Sequence, residues 1–404
     1  MSEGVVTAPT TLRIARAARI PDPLRIARYE RAPELGPNIL FFSGGSALRR
    51  VSRKLKRFTH NSTHLITPFD SGGSSAKLRQ AFGMLSVGDL RNRMIALADE
   101  SVQGNPAVYD LFSYRLDAAA EQAELLARLE RMVAGDDPLV SRVPAPLGEI
   151  IENYLGFFLA AMPADFDLRG ASIGNLILAG GYINHGQRIE PVLFLFSKLV
   201  EVRGTVRAVV TDDLHLVAAL ASGERVVGQH MITGKEVPPL RSRIADIFLS
   251  ASLDRVERAR AAIDDQTRGL IRDAELICYP IGSFFTSVMA TLEPEGVGAA
   301  IADNGCPKVY VPNLGDDPEQ YGMSVRDQVD ALLRRLRRDA GELPARRFLD
   351  CVLVDSGRGR YSGVEDLAAI EDLGIDVVDL QLVTDRSAPL IDEERLVAAL
   401  LSLV

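Results

Sequence analysis

Asn38-Ile39-Leu40-Phe41-Phe42-Ser43-Gly44-Gly45-Ser46 is the stretch on which the fold turns. A short continuous apolar run that stops on small turn-forming residues reads as a strand buried on both faces. Leu48, Val51, Leu55 and Phe58 follow at three- and four-residue spacings, the pattern of a helix with one apolar stripe. His64-Leu65-Ile66-Thr67 is then a second short strand, ended by Pro68 and leading into Phe69-Asp70-Ser71-Gly72-Gly73-Ser74-Ser75. Strand, glycine loop, helix, strand and glycine loop in succession is the grammar of a parallel βαβ unit. The fold class expected is therefore α/β, with a Rossmann-like, mainly parallel sheet and helices on both faces.

Working outward, residues 106–133 and 147–162 read as helices separated by a loop rich in Pro and Asp at 135–146, and 173–179 opens another buried helix. Segments 206–210 and 214–220 read as strands, and Ser222-Gly223-Glu224-Arg225 as the turn into 226–229. Alternation there predicts an antiparallel extension of the parallel core. A charged helix is expected over about 254–270, then three βα units with strands near 275–279, 308–312 and 349–354.

The chain has 404 residues, 47% of them apolar, enough to bury a large core. A formal net charge of −8 argues against nucleic acid as a partner. Cys278, Cys306 and Cys351 are the three cysteines and lie far apart, so neither a paired-cysteine zinc site nor a disulfide framework is expected. No apolar run reaches the roughly 18 residues a bilayer span needs, so no membrane partner is expected and the location expected is cytoplasmic. Residues 11–31 carry six arginines and no apolar core of a signal peptide. Residues 1–36 are read as an Arg-rich extension that packs on the body or a partner, with a transit peptide as the other reading, and 37–404 as one α/β domain.

In a parallel sheet ligands sit outside the carboxyl ends of the strands, where helix N-termini offer unpaired N–H groups and a partial positive charge. That rule directs attention to the loops at 43–47, 70–75, 86–92 and 280–287. Gly44, Gly45 and Ser46 would let the backbone approach a phosphate, or would simply form a turn. The loop is neither a Walker A sequence nor a GxGxxG. Asp70, Gly72, Gly73, Ser74 and Ser75 combine a carboxylate, two glycines and two hydroxyls, against which stands an Asx turn with a capped helix. Asp89 and Asn92 in Gly88-Asp89-Leu90-Arg91-Asn92, and Gly282, Ser283 and Thr286 in the later loop, allow the same two readings. The basic run 48–57 has its charges off the apolar stripe and reads as a solvated face. His60 and His64 are not placed to form a metal pair.

Taken together in this order, the loops resemble a known family. FFSGGSALRRVSRKLK, ITPFDSGGSSAKLR, VGDLRNRMIALAD, ASIGNLILAGGY and PIGSFFTSVMATL are similar to successive motifs of the CofD/YvcK-like family, and KVYVPNL and the closing IDEERLVAALLSLV fall in matching places. The resemblance runs from about Pro37 to the C-terminus and is nearest to the branch called CofD-related proteins of the GAK system. It implies one of two functions. The first is a transferase of the 2-phospho-L-lactate transferase kind, moving a phosphorus-containing group from a nucleoside diphosphate conjugate, GDP- or UDP-linked, to an acceptor hydroxyl with Mg²⁺. The second is a non-catalytic regulator that binds UDP-sugars, in the manner of the YvcK branch. The transferase reading places Asp70 and Asp89 as catalytic and metal-binding carboxylates. Gly44, Gly45, Ser46, Gly72, Gly73, Ser74, Ser75, Asn92, Asn175, Gly282, Ser283 and Thr286 would bind nucleotide or phosphate. A homo-oligomer is implied as well. Ala47, Ser71, Ala171 and Pro280-Ile281 depart from the family pattern, Ser71 standing where a second aspartate is common.

Overall fold

A computed structural model describes residues 17–100, 105–234, 237–315, 317–361 and 366–404. The opening apolar run forms strand β1 (Ile39–Ser43), buried along its whole length, and β2 (Thr63–Ile66) lies beside it in parallel. Successive β1 side chains go to opposite faces. Leu40 and Phe42 enter one core cluster while Ile39 and Phe41 enter another, which is why the run is apolar without alternation. Between the two strands the helix Arg49–Leu55 buries Val51 and Leu55.

The other strands are β3 (Thr205–Ala208), β4 (His215–Leu220), β5 (Arg225–Val227), β6 (Ile244–Ser250), β7 (Arg258–Ala259), β8 (Leu276–Tyr279), β9 (Lys308–Tyr310), β10 (Cys351–Val354) and β11 (Asp376–Asp379). Seven strands make one sheet in the order β11-β10-β9-β8-β1-β2-β3, with every pair parallel. The chain moves from β1 to one edge through β2 and β3. It then returns at β8 on the other side of β1 and moves away through β9, β10 and β11. The direction of winding therefore reverses between β1 and β8, and such a switch point opens a crevice at the carboxyl ends of the strands.

Two additions flank this sheet. Between β2 and β3 the chain inserts the helices Gly73–Phe82, Gly88–Leu97, Pro106–Ser113, Gln122–Val133, Leu147–Ala161, Ile173–Asn184 and Glu190–Leu199, which close around a core of their own. The helix Ile173–Asn184 runs so close to Leu147–Ala161 that a Cβ on Gly180 would lie 1.8 Å from the Tyr154 carbonyl oxygen. The second addition is an antiparallel sheet, β5-β4-β6-β7, whose Leu216, Ile247 and Leu249 share a core cluster with Leu40 and Phe42. The described part of the N-terminal extension packs on the body. Its helix Pro23–Arg31 is capped by Asp22, and the Asp22 N–H donates to Ser402 Oγ at 2.8 Å in the last helix, Glu393–Ser402. Residues 1–16 lie outside the described residues.

The α/β reading holds, with local corrections. The helix expected over 106–133 is two, broken at residues 114–121, where Arg115 bridges to Ser172 instead. The charged helix expected over 254–270 exists only as Asp265–Arg272, because Asp264 caps it by accepting the Thr267 N–H, and β7 occupies residues before it. The segment 206–210 contributes β3 to the parallel sheet, and β11 was not anticipated because its pattern has aspartate at both ends. Among the described residues no helix is long and apolar enough to cross a membrane.

The Gly180 contact supplies a test of the helical insertion. Gly180→Ala forces backbone apart and is expected to destabilise by about 1–3 kcal/mol, the usual range for overpacking, read as a lower urea midpoint. Gly156→Ala, whose Cβ would meet only Val133 Cγ1 at 3.6 Å, serves as the tolerated control.

Candidate functional site

Ser43 ends β1, and the chain beyond it packs directly onto the first turn of the helix Gly88–Leu97. A Cβ on Gly45 would stand 2.1 Å from Asp89 Oδ1, and one on Gly44 would stand 2.5 Å from Ser287 Oγ. The two glycines are therefore required by protein contacts alone, whatever else the loop binds. Arg93, on the same helix as Asp89, completes the joint. Its Nη2 donates to the Gly44 carbonyl at 2.7 Å and to Ser43 Oγ at 3.4 Å, and its Nη1 donates to Ser52. Burial pulls the Arg93 guanidinium down to about 10, with Asp89 opposing the shift, so it stays cationic at neutral pH.

The second loop begins where β2 ends. Asp70 Oδ1 accepts the Gly72 N–H at 3.1 Å, so the Asx turn weighed from the sequence is present, and Gly73 takes a φ of +50° before its helix. Ser74 Oγ accepts a hydrogen bond from Asn175 Nδ2 at 3.0 Å, which joins this loop to the helix Ile173–Asn184. Asn175 Oδ1 is buried without a hydrogen-bond partner among the described residues. Gly88 leaves room for Ser75, whose Oγ lies 2.6 Å from where a Cβ would be, and Asp70 Oδ2 lies 3.8 Å from the same point.

These loops, with Ile281, Gly282 and Ser283 after β8, enclose a cavity of about 380 Å³ at the switch point. It brings together Gly44, Gly45, Ser46, Asp70, Gly72, Gly73, Ser74, Ser75, Asp89, Asn92, Asn175, Gly282 and Ser283. Thr286 is the correction. It is fully buried, and its hydroxyl donates to Glu319 Oε1 at 2.5 Å while its N–H donates to Glu319 Oε2 at 2.8 Å. Its place in the loop suggested a ligand contact; its actual work is to hold the π-helix Phe284–Met289 on a buried carboxylate. His64 is a core residue, stacked on Phe41 and kept neutral by burial.

Arg91, Arg115, Gln229 and His230 also line the cavity and were not among the candidates read from the sequence. Arg91 is 5% exposed, and its stem crosses Gly174, whose Cβ would lie 2.8 Å from Arg91 Cδ. Its Nη2 donates to Asn92 Oδ1 at 2.7 Å, whereas Nε and Nη1 are buried without a hydrogen-bond partner among the described residues. Burial and then the neighbouring Arg115 pull Arg91 down to about 10, leaving it charged at neutral pH. Arg115 also lines the cavity, anchored by Nη1 on the Gly170 carbonyl at 3.1 Å. Gln229 and His230 reach the wall from the short helix Gln229–Ile232 that follows β5. Arg91 lies inside the motif Gly88-Asp89-Leu90-Arg91-Asn92; nothing local marks Arg115 or His230.

Asp70 and Asp89 are the carboxylates of this wall. Among the described residues no group of three or more His, Cys, Asp or Glu gathers into a metal site.

Comparison with known proteins follows the same lines. A family model described as 2-phospho-L-lactate transferase CofD matches residues 39–383. A protein of Nostoc sp. named as a candidate gluconeogenesis factor is 30% identical over 321 residues, which is 79% of this chain and 55% of that protein, so the chain spans about half of its length. The gluconeogenesis factor of Bacillus subtilis is 26% identical over 378 residues, covering 90% of this chain and 97% of that one. The crystal structure of a UPF0052 family member from Bacillus halodurans superposes with a TM-score of 0.65 at 22% identity, over 91% of this chain and 99% of the other, and supports the fold.

Glu319 gives a pH test of the loop's support. Burial, with Asp317 adding to it, pushes its carboxyl up to about 7 from 4.5. A carboxyl that binds its proton more tightly in the folded state stabilises it at low pH, and that contribution falls as pH rises from about 4.5 to 7. Glu319→Gln is expected to flatten the decline in urea stability across that window relative to wild type.

Proposed function

We propose, from the premise that this chain belongs to the CofD family, that its cavity takes a nucleoside-diphosphate-linked substrate and passes a phosphorus-containing group to an acceptor hydroxyl. The observation that carries this reading is Arg91. A guanidinium withdrawn from water with two N–H edges unpaired is destabilising by itself, and an anion in the cavity would offset that penalty through charge-assisted hydrogen bonds. Arg115 beside it enlarges the positive field at the same end. The switch-point position adds a second support, since dinucleotides and phosphates bind at such crevices in parallel sheets.

The chemistry follows from what lines the cavity. An acceptor hydroxyl would attack the distal phosphorus of the conjugate, and a nucleoside monophosphate would leave. Such a transfer depends on positioning and charge neutralisation more than on a protein nucleophile. The backbone at Gly44, Gly45 and Ser46 would cradle the diphosphate, with hydroxyls of Ser74, Ser75 and Ser283 at its sides. Asn92 would hold Arg91 in place, and Asn175, with an unpaired Oδ1, would take a ligand N–H or O–H. Mg²⁺ is commonly held by one or two carboxylates together with phosphate oxygens and water, so Asp70 and Asp89 on one cavity wall fit it. When bound it would supply neutralisation of the phosphate charge.

A second reading has a specific observation behind it: relatives covering nearly the whole chain carry the name gluconeogenesis factor. On that reading the same cavity binds a UDP-sugar and reports its occupancy to a partner without turnover.

A thermal-shift screen with GDP, UDP and UDP-N-acetylglucosamine, each with and without Mg²⁺, tests the shared core of both, because a ligand that binds only the native state raises its melting temperature. A shift with at least one of these nucleotides is expected; no shift with any would refute the reading. Arg91→Gln should leave the ligand-free melting temperature unchanged or higher while weakening binding by about tenfold or more. Asp70→Asn should remove the Mg²⁺-dependent part of the shift. Nucleotide-conjugate turnover selects the transferase, and Mg²⁺-independent UDP-sugar binding without turnover selects the regulator.

A further inference from the structure

Ser71 and His230 are separated by 159 residues, yet the Ser71 Oγ lies 2.8 Å from His230 Nδ1 at the edge of the cavity. The backbone N–H of His230 also donates to Ser71 Oγ, at 3.3 Å. The pair is built in, because Gly228 takes a φ of +93° and a Cβ there would lie 2.9 Å from His230 Cε1 and 3.3 Å from Ser71 Oγ. Gly228 is in turn fixed to β4 by its N–H on the Leu216 carbonyl at 2.8 Å, and the His230 carbonyl accepts from Thr233 Oγ1 at 3.2 Å.

The hydrogen-bond count assigns the tautomer. Ser71 Oγ accepts from the His230 backbone, and a hydroxyl has one proton to give. Among the described residues the His230 ring is the partner found for that proton, so the hydroxyl donates to Nδ1. If Nδ1 carried the proton instead, the serine hydroxyl would have no acceptor among the described residues. A neutral imidazole that accepts at Nδ1 is protonated at Nε2. Among the described residues Nε2 has no protein partner, and His230 lines the cavity.

The geometry points to His230 as a phosphate-binding residue of this cavity, held by Ser71 so that its Nε2–H donates to a phosphate oxygen of the bound ligand. The inference rests on the reading that the cavity takes a nucleoside diphosphate, and it names the residue through which the segment between β5 and β6 takes part. It also gives Ser71 a positioning role: its side chain supplies no charge, but it sets which nitrogen carries the proton. A donor rather than a base at this place suits binding of the diphosphate, and leaves removal of the acceptor's proton to another group.

The test uses the full chain, calorimetric titration with UDP, GDP and inorganic pyrophosphate, and ¹⁵N spectra of the histidine-labelled protein above neutrality. His230→Ala is expected to weaken binding about tenfold or more, the scale of one hydrogen bond to a charged group. His230→Gln, which returns an N–H to about the same place, is expected to recover most of it. In wild type the ring proton of His230, assigned by its absence from His230→Gln, is expected on Nε2, and its resonance should move when pyrophosphate or nucleotide is added. In Ser71→Ala the two tautomers should mix and binding should weaken in part. Wild-type affinity in His230→Ala, or a proton on Nδ1 in wild type, overturns this inference while leaving the nucleotide reading standing. Failure of the wild type to bind any of the three probes overturns both.

Discussion

One buried joint organises the site. Asp89 occupies the space that a side chain on Gly45 would need, and Arg93, one helical turn further on, holds the Gly44 carbonyl and Ser52. Two opposite charges on one helix thus grip the end of β1 from both sides. Arg93 is fully buried, and a buried charge is costly unless it is paired or hydrogen-bonded, so its bonds to the Gly44 carbonyl and Ser52 set where the helix Gly88–Leu97 can lie. Everything else that the helix carries into the cavity, Arg91 and Asn92 above all, takes its position from that joint.

The cavity is a meeting place of three layers with different histories of packing. The parallel sheet supplies the switch point and the loops after β1, β2 and β8. The helical insertion supplies Asn175, Arg115 and the glycine over which Arg91 is laid. The short helix Gln229–Ile232, which follows β5 of the antiparallel sheet, supplies His230, tied back to the β2 loop through Ser71. Carboxylates and guanidinium groups consequently share one wall, an arrangement that a polyanionic ligand with a bound divalent cation would satisfy on both counts. The loop after β8 is supported differently, by the buried carboxylate of Glu319 beneath the π-helix, with Asp317 accepting the Phe284 N–H beside it.

The chain belongs to the CofD family, and the phosphorus chemistry proposed for its cavity draws on that membership together with Arg91. The positions at which this chain departs from the family pattern are informative on structural grounds. Ser71 carries no charge, but it sits where its hydroxyl can order an imidazole that comes from a distant part of the chain. The pair it forms with His230 depends on Gly228, which takes a φ of +93° beside it.

Much of the fold was legible locally. A strand buried on both faces must be continuously apolar, and a helix must repeat every three to four residues; Ile39 to Phe42 and Leu48 to Phe58 obey those periods whatever their surroundings. The break at 114–121, the short helix at Asp265–Arg272 and the strand β11 were less legible, because a bridge to Ser172, an aspartate cap and edge exposure outweighed their periodicity. Glycines and carboxylates at strand ends likewise marked the loops that line the cavity, since parallel sheets place ligands there. By itself, then, the sequence determined the parallel α/β core, its glycine loops and the family, but not the edge strand β11. The tertiary structure alone decided that Thr286 faces Glu319 and away from the cavity, that Arg91 is buried with unpaired N–H groups, and that His230 meets Ser71. Those outcomes depend on contacts between segments far apart in the chain, and local periodicity carries no information about which distant surfaces will pack together.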